Sequence, residues 1–365
     1  MIGKVLGAGG RIERAVLAQL KRLENFQPGV TLLVACSGGP DSLALAAACA
    51  RLAASRTFKL VAATVDHGWR PESAAQARRV QAMLNGLGYR EVTLLELSLQ
   101  DSGGGKEAAA RKGRYQALVK EASRYGKLGS QVFIMLGHTR DDQAETVLLG
   151  LTRGSGTRSI AGMRSWGAGE KAEEKGMPES KSSWQTGYLR PLLELPRQDT
   201  VAACREWGLP YIDDPSNYPD GPVKAADGSA LRRAALRHQG LPALEEALGM
   251  DPRPALARTA SLLQEDLDAL DVLAGTWFTR VKQEESEGIN LETSQLLSQP
   301  AAIRKRVWRL AALAAGARAS DIRKVQLDAV DFLATTRRGI GPIQLPGRVN
   351  CTRVSGSYEL QFRAQ

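Results

Sequence analysis

The sequence predicts an α/β chain: a parallel sheet with helices on both faces, followed by a helical domain and a small β-containing C-terminal end. Three observations predict it. Four apolar runs, residues 31–36, 59–65, 91–97 and 131–136, each have the length of a buried strand. Between them, residues 41–54, 72–87 and 106–124 carry Ala, Leu, Arg and Glu at helical spacing, an alternation that builds parallel sheets. Beyond about residue 242 the apolar positions become helical in spacing, with Leu256, Leu263, Leu267, Leu270 and Trp277 among them.

Taken in order, residues 11–23 form an amphipathic helix ahead of the first strand. The stretch LLVACSGGPDSLAL, residues 32–45, joins that strand through a Ser-Gly-Gly turn to a helix beginning near Asp41. Ligands of parallel sheets bind at the carboxyl ends of strands, where Ser37, Asp66 with His67, and Gly137 with His138 all fall. The segment GHTRDDQAETVLLGLTRGSG, residues 137–156, places Asp141, Asp142 and Glu145 in the first turns of the next helix. Residues 166–188 are rich in Gly, Glu, Lys and Ser and read as a mobile surface loop. A strand-like YLRPLL and a helix over residues 197–207 return the chain to the first domain. A polar insertion, residues 218–229, then precedes the arginine-rich LRRAALRHQGLPALEEAL. PAAIRKRVWRLAALAAG is a basic amphipathic helix, and PIQLPG with RVNCTRVSGSYELQF forms short strands around a Ser-Gly-Ser turn. The expected domains are residues 1–240, 241–335 and 336–365, without internal repeats.

With 365 residues, 43% apolar and 24% charged, the composition is that of a globular chain with real cores. A net charge of +10 and a pI near 9.6 point to a polyanionic partner, nucleic acid among them. Cys36, Cys49, Cys204 and Cys351 are scattered and form no CxxC pair, which argues against structural zinc, an iron–sulfur cluster or a redox dithiol. The first ten residues lack a sustained apolar core, and no run approaches the ~20 apolar residues of a membrane span. The expected location is the cytoplasm. Nothing in the sequence signals an oligomeric state.

Gly38 and Gly39 allow backbone N–H groups to converge on an anion, and the following helix N-terminus adds partial positive charge. Ser37 and Ser42 can donate to phosphate oxygens, and Asp41 could hold a magnesium ion bridging them. The lysine of a Walker A loop is missing, so a pyrophosphate cradle for nucleotidyl transfer is more natural than γ-phosphate hydrolysis. A lone Ser-Gly-Gly is also an ordinary tight turn before a helix. GAGGRIE, residues 7–13, follows no strand and has Ile12 where a dinucleotide fingerprint needs its third glycine. One or two acids in a first helical turn merely complement the dipole. Three acids and His138 at a strand end, opposite a phosphate loop, favour a metal or substrate site.

SGGPDS resembles the SGGxDS signature of the PP-loop ATP pyrophosphatases, whose fold is adenine nucleotide alpha hydrolase-like. VDHGWRPESA, EAAARKGRYQAL, GHTRDDQAETVLLGLTRGSG, RPLL and DDPSN, in that order over the first ~240 residues, together resemble the tRNA(Ile)-lysidine synthetases. The resemblance implies ATP and Mg2+ as cofactors, and as substrates L-lysine and a tRNA(Ile) with a CAU anticodon. It implies adenylation of the wobble cytidine at its C2 oxygen with loss of pyrophosphate, then attack by the lysine ε-amine and release of AMP. Lysidine results, and AUA is read instead of AUG. In that frame Ser37, Gly38, Gly39, Pro40, Asp41 and Ser42 bind the nucleotide, and Asp41 holds the metal. His67 and His138 line the nucleotide or base pocket, and Asp141, Asp142 and Glu145 are candidates to attract and deprotonate lysine. Arg111 and Arg114 neutralise phosphate charge in the transition state. Arg304, Lys305, Arg306 and Arg309 are candidates for contacts along the tRNA backbone.

The chain departs from the family pattern after DPSN, where an Arg-Asn-Arg-x-Arg run is expected and Arg233, Ala234, Ala235, Leu236, Arg237 stand. The runner-up is tRNA 2-thiolation, which shares the loop but needs cysteines that are not clustered here. Amidotransferase-linked synthetases would need a glutaminase unit, which is not evident. A non-catalytic tRNA-binding protein would have no reason to keep Ser37, Gly38, Gly39, Asp41 and Ser42 together.

Overall fold

The computed structural model describes residues 7–23, 29–53, 58–66, 68, 72–97, 106–126, 131–154, 156–168, 186–225, 227–285, 288–319, 321–336, 341–354 and 356–364. His67 and most of the 166–188 segment lie outside these residues. The chain forms two compact units, Met1–Leu149 with Gly162–Ala260, and Gly150–Ala161 with Ser261–Gln365. No helix among the described residues is long and apolar enough to cross a membrane.

The first unit alternates α1 (Ala8–Leu23), β1 (Thr31–Ala35), α2 (Pro40–Ala53), β2 (Lys59–Asp66), α3 (Ser73–Gly86), β3 (Val92–Glu96), α4 (Lys106–Gly126), β4 (Val132–Leu136) and α5 (Arg140–Arg153). The turn α6 (Thr157–Ile160) belongs to the second unit; β5 (Trp166–Ala168), β6 (Gly187–Leu189), α7 (Arg197–Glu206), α8 (Arg232–Ala235) and α9 (Leu241–Leu248) belong to the first. The strands order as β3-β2-β1-β4-β6-β5. Every neighbouring pair is parallel except β5 with β6, so all the parallel strands aim their carboxyl ends at one edge.

The period of two along β1 separates the two cores. Leu32 and Val34 join Ile12, Val16 and Leu20 of α1 and the aliphatic face of α2. Leu33 points the other way, to Leu118 and Ala122 of α4 with Val61 and Ile134. Helix α2 is apolar around most of its circumference, with Leu43, Ala44, Leu45, Ala46, Ala48 and Cys49 all buried, because sheet and helices surround it. A bidentate Arg11–Asp199 pair, 2.7 and 2.9 Å, fastens α1 to α7.

The ends of the polar segment differ from the expected loop. Trp166 pairs with Leu189 and Ala168 with Gly187, so the segment is flanked by an antiparallel ladder that the composition obscured. The strand expected over residues 188–193 stops at Leu189, because Pro191 cannot donate to a ladder and the chain turns there.

In the second unit, β7 (Lys282–Glu285), β8 (Gly288–Glu292), β9 (Ile343–Leu345), β10 (Val349–Arg353) and β11 (Glu359–Ala364) form an antiparallel sheet ordered β7-β8-β11-β10-β9. The helices with it are α10 (Arg253–Val281), α11 (Ala301–Ala314) and α12 (Lys324–Thr335). Strands β7 and β8 lie inside the stretch that reads as helical, and the tail strands complete their sheet. Trp308, Val307, Val330, Leu333, Leu291, Leu360 and Phe362 build one core between helices and sheet.

Three of the four expected cations of α11 are paired with acids within this unit, while Arg309 donates to the Ala319 carbonyl at 2.9 Å. Arg304 forms a bidentate pair with Asp331 at 2.7 and 2.9 Å, Lys305 meets Asp328 at 2.5 Å, and Arg306 meets Asp271 at 3.0 Å. Asp331 also accepts from Trp308 Nε1 at 2.9 Å, so its charge is fully used. These ion pairs tie α11 to α12 and to α10, a structural duty that bears on any contact the same cations make with RNA phosphates. Arg304→Ala would leave the Asp331 carboxylate short of its counter-ion, and a loss of about 2–4 kcal/mol in urea unfolding is expected. Unchanged stability would deny the pair that structural duty.

Candidate active site

The loop after β1 is shaped by its neighbours. Gly38 has φ +85°, and a Cβ there would lie 2.5 Å from Val80 Cγ2 and 3.0 Å from Ile212 Cδ1. Its carbonyl accepts the Ile212 N–H at 2.8 Å, so the first glycine is required by the fold. Gly39 is different: a Cβ would meet nothing closer than Ser37 Oγ at 3.8 Å, and its φ is not left-handed. Neither packing nor conformation explains the second glycine, which leaves close approach of a ligand to the loop as its physical reason.

Pro40 begins α2, where its fixed φ suits a first helical position and its missing N–H costs nothing. The Ser42 hydroxyl accepts the Ser37 N–H at 3.1 Å and donates to the Gly39 carbonyl at 3.1 Å. The Ser42 side chain thus ties the loop to the first turn of α2 and helps shape the cradle. Ser37 Oγ lies 3.2 Å from Ser42 Oγ. Across the loop, a Cβ at Gly137 would lie 2.9 Å from backbone atoms of Asp41 and Ser42, so β4 can end beside α2 only because residue 137 is glycine.

Asp41, Asp141, Asp142 and Glu145 come together as expected, each in contact with arginines. Asp41 Oδ2 accepts Arg197 Nε at 2.9 Å, and its Oδ1 accepts the Thr200 hydroxyl. The same guanidinium reaches Asp142 Oδ1 with Nη2 at 2.9 Å. Asp142 Oδ2 accepts both the N–H and the hydroxyl of Thr139 at 2.9 Å, closing the N-terminus of α5. Arg237 spans Asp142 at 3.4 Å and Glu145 at 2.8 Å, and Arg233 completes Glu145 at 3.2 Å. Asp141 accepts the Arg197 backbone N–H at 2.8 Å and faces Arg253 Nε at 3.6 Å.

Burial raises Asp41 to about 6, with Arg197 opposing and Asp142 reinforcing. Burial would raise Asp142 as well, but Arg197, Arg237 and the Thr139 N–H hold it well below the usual carboxylate range. Glu145 is raised by burial against the pull of Arg237. The first proton to enter this pair is therefore taken at Asp41, and Asp142 stays ionised.

Both Asp41 carboxylate oxygens accept hydrogen bonds, from Arg197 and Thr200, and among the described residues no three His, Cys, Asp or Glu side chains converge to hold a metal. A magnesium ion here would take Asp41 as its one carboxylate ligand and complete its shell with nucleotide phosphates and water.

His138, Arg111 and Arg114 meet on the other side of Asp142. The His138 Nδ1 and the Arg114 Nε are buried with no hydrogen-bond partner. Burial, with Arg190, Arg114 and Arg111 reinforcing it and Asp142 opposing, pushes the imidazole well below its ordinary pKa, so His138 is neutral. His67 cannot be placed, since it lies outside the described residues.

Sequence reasoning missed Arg197 and left Arg233 and Arg237 as an imperfect match. Arg197 sits at the start of α7, 156 residues from Asp41, and only the fold brings them together. The alanines at 234 and 235 do not interrupt the clamp, because Arg233 and Arg237 are spaced i, i+4 and reach Glu145 from one face.

A PP-loop domain family matches residues 12–244. The tRNA(Ile)-lysidine synthase of Streptomyces coelicolor is 43% identical over 89% of this chain and 83% of its own. That of Thermobifida fusca is 40% identical over 90% of each chain, and that of Salinispora arenicola 39% identical over 94% of each.

Two measurements test the network. Removing Glu145 should strand Arg233 without a carboxylate and leave Arg237 only Asp142 at 3.4 Å: Glu145→Ala is expected to cost about 3–5 kcal/mol in urea unfolding, and Glu145→Gln less. A purely substrate-binding Glu145 would leave stability unchanged. Burial holds the Asp41 proton up to about pH 6 in the folded chain, against 3.8 for an ordinary aspartate. Folded protein therefore binds more protons than unfolded between these values, and its stability falls as pH rises through them. Relative to Asp41→Asn, wild type should lose on the order of 3 kcal/mol between pH 4 and pH 7, and parallel stability curves for the two proteins would refute the shift.

Proposed function

Because the chain belongs to the tRNA(Ile)-lysidine synthase family of PP-loop ATP-dependent ligases, we propose that this site joins L-lysine to the wobble cytidine of a CAU-anticodon tRNA(Ile) through an adenylated tRNA. In the first step the C2 oxygen of cytosine attacks the α-phosphorus of ATP and pyrophosphate leaves. In the second, the lysine ε-nitrogen attacks C2, the C2–O bond breaks, AMP carries away the oxygen, and the amine loses its protons to a base.

The observation that supports the reading most directly is the open face at Gly39, beside the N-terminus of α2. Ser37, Gly38, Gly39 and Pro40 form the cradle for the departing pyrophosphate, and Ser42 fixes its shape. Asp41 positions Arg197, whose charge stands next to the loop. Arg111 and Arg114 counter the charge that grows on the α-phosphate, and neutral His138 can exchange a hydrogen bond with nucleotide or base. Asp141, Asp142 and Glu145 supply the negative field that draws the lysine ammonium, and the arginines among them keep at least Asp142 ionised as the ammonium is deprotonated.

The test is incorporation of labelled lysine into a CAU-anticodon tRNA(Ile) transcript with magnesium ATP. Wild type is expected to label the tRNA. Asp41→Ala, which frees Arg197, should lower the rate at least ~100-fold. Pyrophosphate release that depends on tRNA but brings in no lysine would keep adenylation and discard lysine as nucleophile, the outcome expected of a 2-thiolation enzyme. No release at all would reduce the loop to a turn.

A further inference from the structure

Around Asp41, Asp142 and Glu145 the arginines at 197, 233 and 237 each meet a carboxylate, yet three arginines that act on His138 meet none among the described residues. Arg111 and Arg114 lie on α4, and Arg190 follows the end of β6. Their guanidinium groups lie 5.1, 5.6 and 5.7 Å from the ring centroids of Tyr115, Tyr115 and Tyr188 respectively, and the two tyrosines pack edge to face at 5.5 Å. Arg111 Nη2 donates to Tyr115 Oη at 3.4 Å, and Arg190 Nη1 donates to the Arg164 carbonyl at 2.9 Å. None of the three takes part in an ion pair among the described residues.

Three buried nitrogens of this cluster have no partner: Arg114 Nε, Arg190 Nε and His138 Nδ1. An unsatisfied buried donor costs about 1–3 kcal/mol, and three cations in mutual range repel. Such an arrangement is stable only if the fold pays for it or an anion completes it. The electrostatic effects of the cluster are consistent: the Tyr115 phenol, which burial alone would raise, is lowered by Arg111, Arg190 and Arg114. Arg111 itself is lowered, by burial first and by Arg233, Arg114 and Arg190 in addition.

We propose that Arg190, with Arg111, Arg114 and His138, forms a seat for a phosphate oxyanion, and that Arg190 is a phosphate-binding residue of this enzyme. The guanidinium fork suits phosphate oxygens, and the tyrosine rings pack against all three forks. The inference deepens the adenylating reading of the site and rests on it. A phosphate of this kind comes either from ATP or from the tRNA backbone next to the target nucleotide, and the two sources give different signatures.

The experiment compares wild type with Arg190→Gln, measuring the dissociation constants of ATP and of the CAU-anticodon tRNA(Ile) transcript over a salt series, with melting curves alongside. A ten- to hundredfold weaker ATP affinity, on the order of a lost charged hydrogen bond, with tRNA unchanged, assigns the seat to the nucleotide. A similar loss for tRNA, with a salt slope shallower by about one and ATP unchanged, assigns it to the RNA backbone. Wild-type affinity for both in a folded variant overturns the seat, as do equal losses on both probes with a lowered Tm, which mark a structural residue. Should Arg190→Gln fail to fold, Arg114→Gln carries the same readings, and wild-type binding there overturns the seat. Binding alone decides these outcomes; a wild type that binds both ligands without incorporating lysine would instead defeat the lysidine reading and leave the seat standing.

Discussion

The guanidinium of Arg197, shared between Asp41 and Asp142, is the contact on which the rest of the site depends. It joins the first turn of α2, the first turn of α5 and the start of α7, three elements far apart in sequence. A parallel sheet gathers its strand ends at one edge but does not fix the helices that leave them. At this edge that task falls to a buried ion pair with satisfied hydrogen bonds, which is costly to break once formed. The phosphate loop inherits its geometry from the result, because α2 must begin where Asp41 meets Arg197.

The same contact accounts for the unlike behaviour of two neighbouring carboxylates. Asp142 receives two arginines, a backbone N–H and a hydroxyl, and remains ionised; Asp41 has one arginine and one hydroxyl in a buried position and binds a proton more readily. Two acids of one type, about one helix turn from their respective strand ends, thus take different charge states from their partners alone.

The sheet and its helices were legible because burial on both faces leaves uninterrupted apolar runs, and Leu32, Leu33 and Val34 have no exposed side. Strands β5, β7 and β8 were not: they are short, and Lys282, Gln283 and the glycines at 167, 187 and 288 dilute the apolar signal. SGGPDS marked the loop, yet it could not tell a glycine needed for folding, Gly38, from one open to a ligand, Gly39. The acids of α5 could be found from spacing within one helix. Arg197 and Arg190 could not, since a long-range ion pair or an unpaired cation leaves no periodicity behind. The basic face of α11 shows the converse: a run of cations reads as an RNA surface until the acids of α12 are seen opposite it.

The charge pattern divides the first unit's site into two regions of different character. Among the acids, carboxylates and guanidinium groups alternate, and each charge has a partner of opposite sign. Around His138 the arginines form no ion pair among the described residues, and an anion is favoured. Asp142 acts on both regions, since it pairs with Arg197 and Arg237 and also opposes the loss of the His138 proton. In the proposed reaction the polyphosphate is held while the C2 oxygen is adenylated and the ammonium enters in the step after, so two regions of unlike charge keep the two substrates from competing for one field.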